Sequence, residues 1–182
     1  MERLKIATVW LGGCAGCHMS FLDLDEFLID LAGLVEVVYS PIADVKQYPE
    51  GVDLCLIEGA VCNEDNLEIL HQVRARTKVL ISFGDCAVTG NVPAMRNQLG
   101  LDNADDVLQR AYIENAQFNP VKPSADGIVP PLLKRVQPVH EVVQVEYYLP
   151  GCPPPAARIK NLVAQLLAGT VPKQEGTELK FG

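Results

Sequence analysis

LKIATVWLGGCAGC, residues 4–17, decides the fold. Its first eight residues, LKIATVWL, read as a buried strand, and a turn rich in Gly and Cys follows at once. Working outward, SFLDLDEFLIDLAG reads as a helix with Phe21, Leu24, Leu28 and Leu31 on one face and Gly33 at its end. VEVVYS is a second strand and VDLCLIEG a third. NEDNLEILHQVRART is helical, with Asn63 as N-cap. KVLISFGDC gives a fourth strand and VVQVEYYLPGC a fifth. AARIKNLVAQLLAG closes the pattern as a helix, with Ile159, Leu162, Val163, Leu166 and Leu167 at helical spacing.

Alternating strands and helices, with β-branched runs in the strands, predict an α/β fold with a mainly parallel sheet covered on both faces. The expected architecture is a flavodoxin-like three-layer sandwich, one domain over residues 1–182. The weakest region is 100–138: a polar helical stretch around Asp102–Ala111, then the Pro-rich segment NPVKPSADGIVPPLLKRVQP. A loop of that length in a compact domain is usually functional or covered by a partner.

Composition narrows the function. With 182 residues, 48% hydrophobic and 21% charged, the chain has ample core for one domain. A net charge of -8 argues against nucleic acid as the main partner. No run approaches the ~20 apolar residues needed to cross a bilayer, so no membrane insertion is expected. MERLKIATVWLGG lacks the basic start and cleavage site of a secretory signal, and there is no twin-arginine pair. The expected location is cytoplasmic, where six cysteines suggest metal or redox work before disulfides.

Four cysteines share one position in the pattern. Cys14 and Cys17 follow the first strand, Cys86 the fourth and Cys152 the fifth. Parallel strands deliver their C-terminal ends to one edge, where open α/β folds place ligands. Each cysteine sits beside Gly or Pro, which permit tight turns and close backbone approach. Backbone N–H groups near the sulfurs can tune a reduction potential. Four thiolates also suit zinc. Structural zinc sites usually use two local pairs, however, and here one Cys-x-x-Cys stands with two distant single cysteines; the spacing favours iron–sulfur. Dithiol redox chemistry at Cys14 and Cys17 would leave Cys86 and Cys152 unexplained. A flavodoxin-like FMN carrier would need a Ser- and Thr-rich phosphate loop where LGGCAGCHMS stands, although a flavin site elsewhere stays open.

Among the other candidates, Cys55 lies in an apolar run and reads as core. Cys62 follows the third strand and could lie near the site without ligating. His18 adjoins Cys17 and reads as a packing or supporting residue. His71, in a helix, and His140, at the start of a strand, read as structural. Glu58 ends the third strand as either a proton-handling or partner-contact group, or a solvated or N-capping carboxylate.

The ordered set CAGC, IEGAV, GDCA and LPGCPP resembles the small subunit of NiFe-hydrogenases and, more distantly, the Fe–S subunit of respiratory complex I. The resemblance covers essentially the whole chain. It implies that Cys14, Cys17, Cys86 and Cys152 ligate one proximal 4Fe–4S cluster, next to the NiFe site of a separate large subunit. Complex I relatives typically have adjacent cysteines at the first motif, whereas Cys14 and Cys17 are separated by two residues, as in hydrogenases. No cysteine follows Cys152, so the chain looks like the short, single-cluster small subunit of cytoplasmic bidirectional NAD(P)-linked hydrogenases. Such a subunit would relay electrons to diaphorase subunits carrying FMN and further Fe–S clusters, and would not be catalytic by itself. The expected partner contacts are Gly12–Cys17, Gly84–Asn91 and the 119–138 loop.

Overall fold

The structure, a computed structural model, describes residues 3–100 and 103–182. In chain order they form β1 (Leu4–Trp10), α1 (Gly16–Leu22), α2 (Phe27–Leu34), β2 (Val35–Tyr39), β3 (Val52–Glu58), β4 (Val61–Asn63), α3 (Glu64–Arg76) and β5 (Thr77–Phe83). Then come α4 (Asp85–Thr89), α5 (Asn91–Ala94), a 3-10 turn (Met95–Leu99), α6 (Asn103–Gln109) and a π turn (Arg110–Glu114). β6 (Leu132–Gln137), α7 (Val139–Val142), β7 (Tyr147–Leu149), α8 (Ala156–Leu167) and a 3-10 turn (Gly176–Leu179) complete the fold. None of the helices among the described residues is long and apolar enough to cross a membrane.

Five strands pair in parallel in the order β2-β1-β3-β5-β7. This is the flavodoxin-like order, with its switch point between β1 and β3. Side chains alternate between the two faces of the sheet. Ala7, Val9, Cys55, Ile57 and Leu80 face Leu70 and Val73 of α3. Ile6, Leu54, Leu56, Ile81 and Phe83 face Leu24, Leu31, Ile159, Leu162 and Val163. One sheet between two helical layers is the expected three-layer sandwich. α3 starts where the sequence predicts: the Asn63 side chain accepts the N–H of Asn66 at 2.8 Å. Glu64 and Asp65 lie in its first turn and Arg74 and Arg76 in its last, matching the helix dipole.

The structure differs from the sequence reading in four places. The helix expected over 20–33 is two helices, α1 and α2, joined by a turn. Leu24 is buried in that turn, and Asp25 takes a left-handed φ of 50° to let it turn inward, a conformation aspartate tolerates. Gly33 does not end α2, which runs through Leu34 directly into β2. The fifth strand shrinks to Tyr147–Leu149. Pro138 starts a helical turn there that buries Val139 and Val143 in the core, so packing overrides the β propensity of the valines. His140 consequently lies on α7 rather than at the start of a strand, edge-on to Tyr148 with ring centroids 5.7 Å apart.

The Pro-rich segment also holds unexpected order. β6 pairs antiparallel with β4, and Asn97 clamps it: its side-chain oxygen accepts the N–H of Val136 and its amide donates to the Val136 carbonyl, both at 2.9 Å. The polar helix expected from Asp102 is present as α6 and the π turn, although Asp102 itself lies outside the described residues.

Central β3 should dominate stability. Leu56→Ala removes a fully buried side chain from it and should cost about 2–5 kcal/mol. Val121→Ala, in the exposed loop, should fall within about 0.5 kcal/mol of the parent in the same denaturation experiment.

Candidate metal centre

Four strands end on one line. Trp10 pairs with Glu58, Glu58 with Phe83, and Phe83 with Leu149. The turns leaving β1, β5 and β7 carry Cys14 and Cys17, Cys86 and Cys152. Backbone bonds lock these turns together. Gly84 donates to the Leu149 carbonyl at 2.8 Å and Asp85 to the Gly151 carbonyl at 2.9 Å. Gly84 adopts φ +83°, and a Cβ on it would overlap the Cys17 sulfur. Only glycine lets the GDC turn close on the CAGC turn in this way.

Cys17 is 8% exposed, Cys86 is half-buried, and Cys14 and Cys152 are exposed. Burial pushes the Cys17 thiol far up, reinforced by Glu58 and by the negative charge that Cys86, Cys14 and Cys152 would carry. Burial likewise pushes Cys86 up to about 11, with Cys152, Cys14 and Glu58 adding to it. Cys17 and Cys86 therefore lie within electrostatic reach of each other and of Cys14 and Cys152, and these two raised thiols ionise readily only against a positive centre. The N–H of Gly16 donates to Cys14 Sγ at 3.4 Å, and the N–H of Val92 supports the Cys86 thiolate. These are the sulfur contacts expected around an iron–sulfur centre. Among the described residues no three His, Cys, Asp or Glu side chains close around a single ion. Soft thiol donors on separate turns suit a group with several metal atoms, one per thiolate.

Of the readings open for Glu58, the N-capping carboxylate holds and the solvated one does not. It is 1% exposed, and its carboxylate accepts the N–H of Cys17 at 3.2 Å and of His18 at 2.9 Å. These are orphan donors of the first turn of α1, so Glu58 caps that helix from across the sheet. Its Oε2 also contacts Nδ1 of His18. His18 thus braces the cap, in line with the supporting role expected of it.

Cys55 is fully buried in β3, as expected, and burial takes its thiol up to about 12. Cys62 packs against the backbone of Gly12 and sees Arg96 rather than the four cysteines. His71 lies on the exposed side of α3. The sequence reading passed over Asp85. It is buried, and it accepts the N–H of Gly151 at 2.6 Å and of Gly182 at 3.0 Å. Its place between Gly84 and Cys86 was the available signal. Beside the cysteine edge, an apolar cavity of about 500 Å3 opens between β1, β2 and the α1–α2 pair, with Trp10, Met19 and Ile42 in its walls.

A flavodoxin-like sandwich with four cysteines on the turns at the C-terminal edge of its sheet, and no phosphate loop after β1, is the class that fold and site define. The family described as NADH ubiquinone oxidoreductase, 20 Kd subunit, matches residues 14–166. The chain belongs to that family. It is 40% identical over 173 residues to the NAD-reducing hydrogenase HoxS subunit delta of Cupriavidus necator, covering 92% of this chain and 80% of that one. It is 39% identical over 173 residues to a subunit of the F420-non-reducing hydrogenase vhu of Methanococcus voltae, covering 94% of this chain. The chain spans only 59% of the length of that second relative. A crystal structure of an NAD+-reducing NiFe-hydrogenase in the H2-reduced state contains a chain that matches at TM-score 0.91 and 40% identity, over 100% of both chains.

Glu58→Ala, which orphans the buried amide of Cys17 and the half-buried amide of His18, should lower stability by about 2 kcal/mol in thermal unfolding of matched preparations. Glu58→Gln, which keeps an acceptor of the same shape, should cost less.

Proposed function

We propose that the chain is the electron-transfer small subunit of a NiFe-hydrogenase, standing between the NiFe large subunit and an NAD(P)-reducing diaphorase module. Cys14, Cys17, Cys86 and Cys152 are the residues that would hold one 4Fe–4S cluster. When bound, the cluster supplies a one-electron carrier. The observation that carries this reading is the alignment of the ends of β1, β3, β5 and β7, which sets three cysteine-bearing turns on one edge. The names of the Cupriavidus necator relative and of the matching crystal structure, both NAD-reducing hydrogenases, support it.

The chain's own residues would supply rigidity and dryness. Glu58 and His18 fix the start of α1, and with it Cys17. Phe83, Leu149 and Ile159 close the apolar floor behind that helix. Both core clusters share the one sheet, so residues 1–182 would act as a single domain, and the proposed location is the cytoplasm. Partners would cover the apolar side chains left exposed at the proposed contact regions: Trp10 and Met19 by the first cysteine loop, Val92 and Met95 beyond Asn91, and Ile128 in the long loop.

Anaerobically purified complex should contain about four iron and four sulfide in this chain. Ser at Cys86 or Cys152 should abolish hydrogen-dependent NAD(P) reduction while diaphorase oxidation of NADH by an artificial acceptor persists. Cys55→Ser should leave the centre in place. Because the raised thiols must lose protons on loading, reconstitution of the cluster-free chain should release protons and weaken as pH falls. Stoichiometric zinc without sulfide, or hydrogen-linked NAD(P) reduction surviving loss of the centre, would refute the assignment.

A further inference from the structure

The final segment of the chain lies on the cysteine edge. Gln174 lies alongside β7, where its side-chain oxygen accepts the N–H of Tyr148 at 3.3 Å and its amide donates to the Tyr148 carbonyl. Arg158 Nη1, from α8, donates to the Pro150 carbonyl at 2.7 Å and to the Lys180 carbonyl at 2.9 Å. Asp85 completes the closure by accepting the amides of Gly151 and Gly182 on its two oxygens. Its own N–H donates to the Gly151 carbonyl, so Asp85 and Gly151 hold each other from both sides. The residues that fix the LPGC turn are thus the residues that fix segment 174–182.

We propose that Asp85 is a positioning residue for the centre. It sets the spacing of the Cys86 and Cys152 turns, makes that spacing depend on the 174–182 clasp, and places a fixed negative charge beside the cradle. The inference rests on the proposed cluster-binding reading. The two oxygens of Asp85 thus each accept one backbone N–H, that of Gly151 in the interior and that of Gly182 at its margin. A buried negative charge next to a redox centre opposes the arrival of an electron, so Asp85 holds the reduction potential down. Arg158 acts on the same turn through carbonyls, and its loss should loosen the clasp while leaving the Asp85 charge in place.

The test compares wild type, Asp85→Asn and Arg158→Ala in the assembled complex. It combines iron and sulfide analysis, redox titration followed by electron paramagnetic resonance, and hydrogen exchange of peptides covering 147–155 and 174–182. In Asp85→Asn the midpoint potential should move positive, and exchange at Gly151 should quicken by up to about tenfold, the difference between a charge-assisted and a neutral hydrogen bond. In Arg158→Ala exchange should quicken in both peptides. An unchanged potential together with unchanged Gly151 exchange in Asp85→Asn would overturn the proposal. If Asp85→Asn does not assemble, Arg158→Ala decides: faster exchange confined to 174–182 would overturn it. Wild type lacking iron and sulfide would instead refute the cluster reading, and exchange would still test the clasp.

Discussion

The architecture depends on register. Parallel pairing sets Trp10 opposite Glu58, Glu58 opposite Phe83 and Phe83 opposite Leu149, so neighbouring strands stop together. A one-residue slip in any of these pairings would turn every side chain of a strand to the wrong face. The apolar content of β3, buried almost throughout, makes such a slip prohibitively costly. The same hydrophobic pattern that builds the core therefore aligns the turns. The sheet register, rather than any bond between the cysteines, sets their turns side by side.

That placement carries an electrostatic cost. Cys17, Cys86 and Glu58 are buried or half-buried, and each thiol is pushed up by burial and by its neighbours' negative charge. Glu58 is tolerable because it is saturated by amides and by the His18 ring. The sulfurs have only a few N–H donors around them. The protein therefore stabilises its fixed carboxylate internally and leaves the Cys17 and Cys86 thiols costly to ionise.

Much of this was legible in the sequence because it rests on local pattern. The buried runs at 4–11, 52–59 and 78–84, the Asn63 cap and the amphipathic 156–169 stretch each identify themselves, and together they imply the sheet edge that gathers the cysteines. What escaped depends on contacts distant in sequence. Asp85 acquires its role only by meeting Gly151 and Gly182, and among the readings open for Glu58 the N-capping one is decided only by its meeting α1. Val142 and Val143 read as a strand because their burial can be satisfied in either conformation, and the core chose a helical turn. β4 and β6 are short and lie nearly seventy positions apart, beyond the reach of periodicity.

The side chain of Gln174 occupies the place of a neighbouring strand at the edge of the sheet. Its amide presents one acceptor and one donor to Tyr148, which are the two bonds another backbone would form there. An unprotected edge strand is a template for a second chain to add to the sheet. A single glutamine thus closes that template with no β structure of its own, and the sheet stops growing at five strands on this side. Strand addition at β7 is thereby closed off at Tyr148.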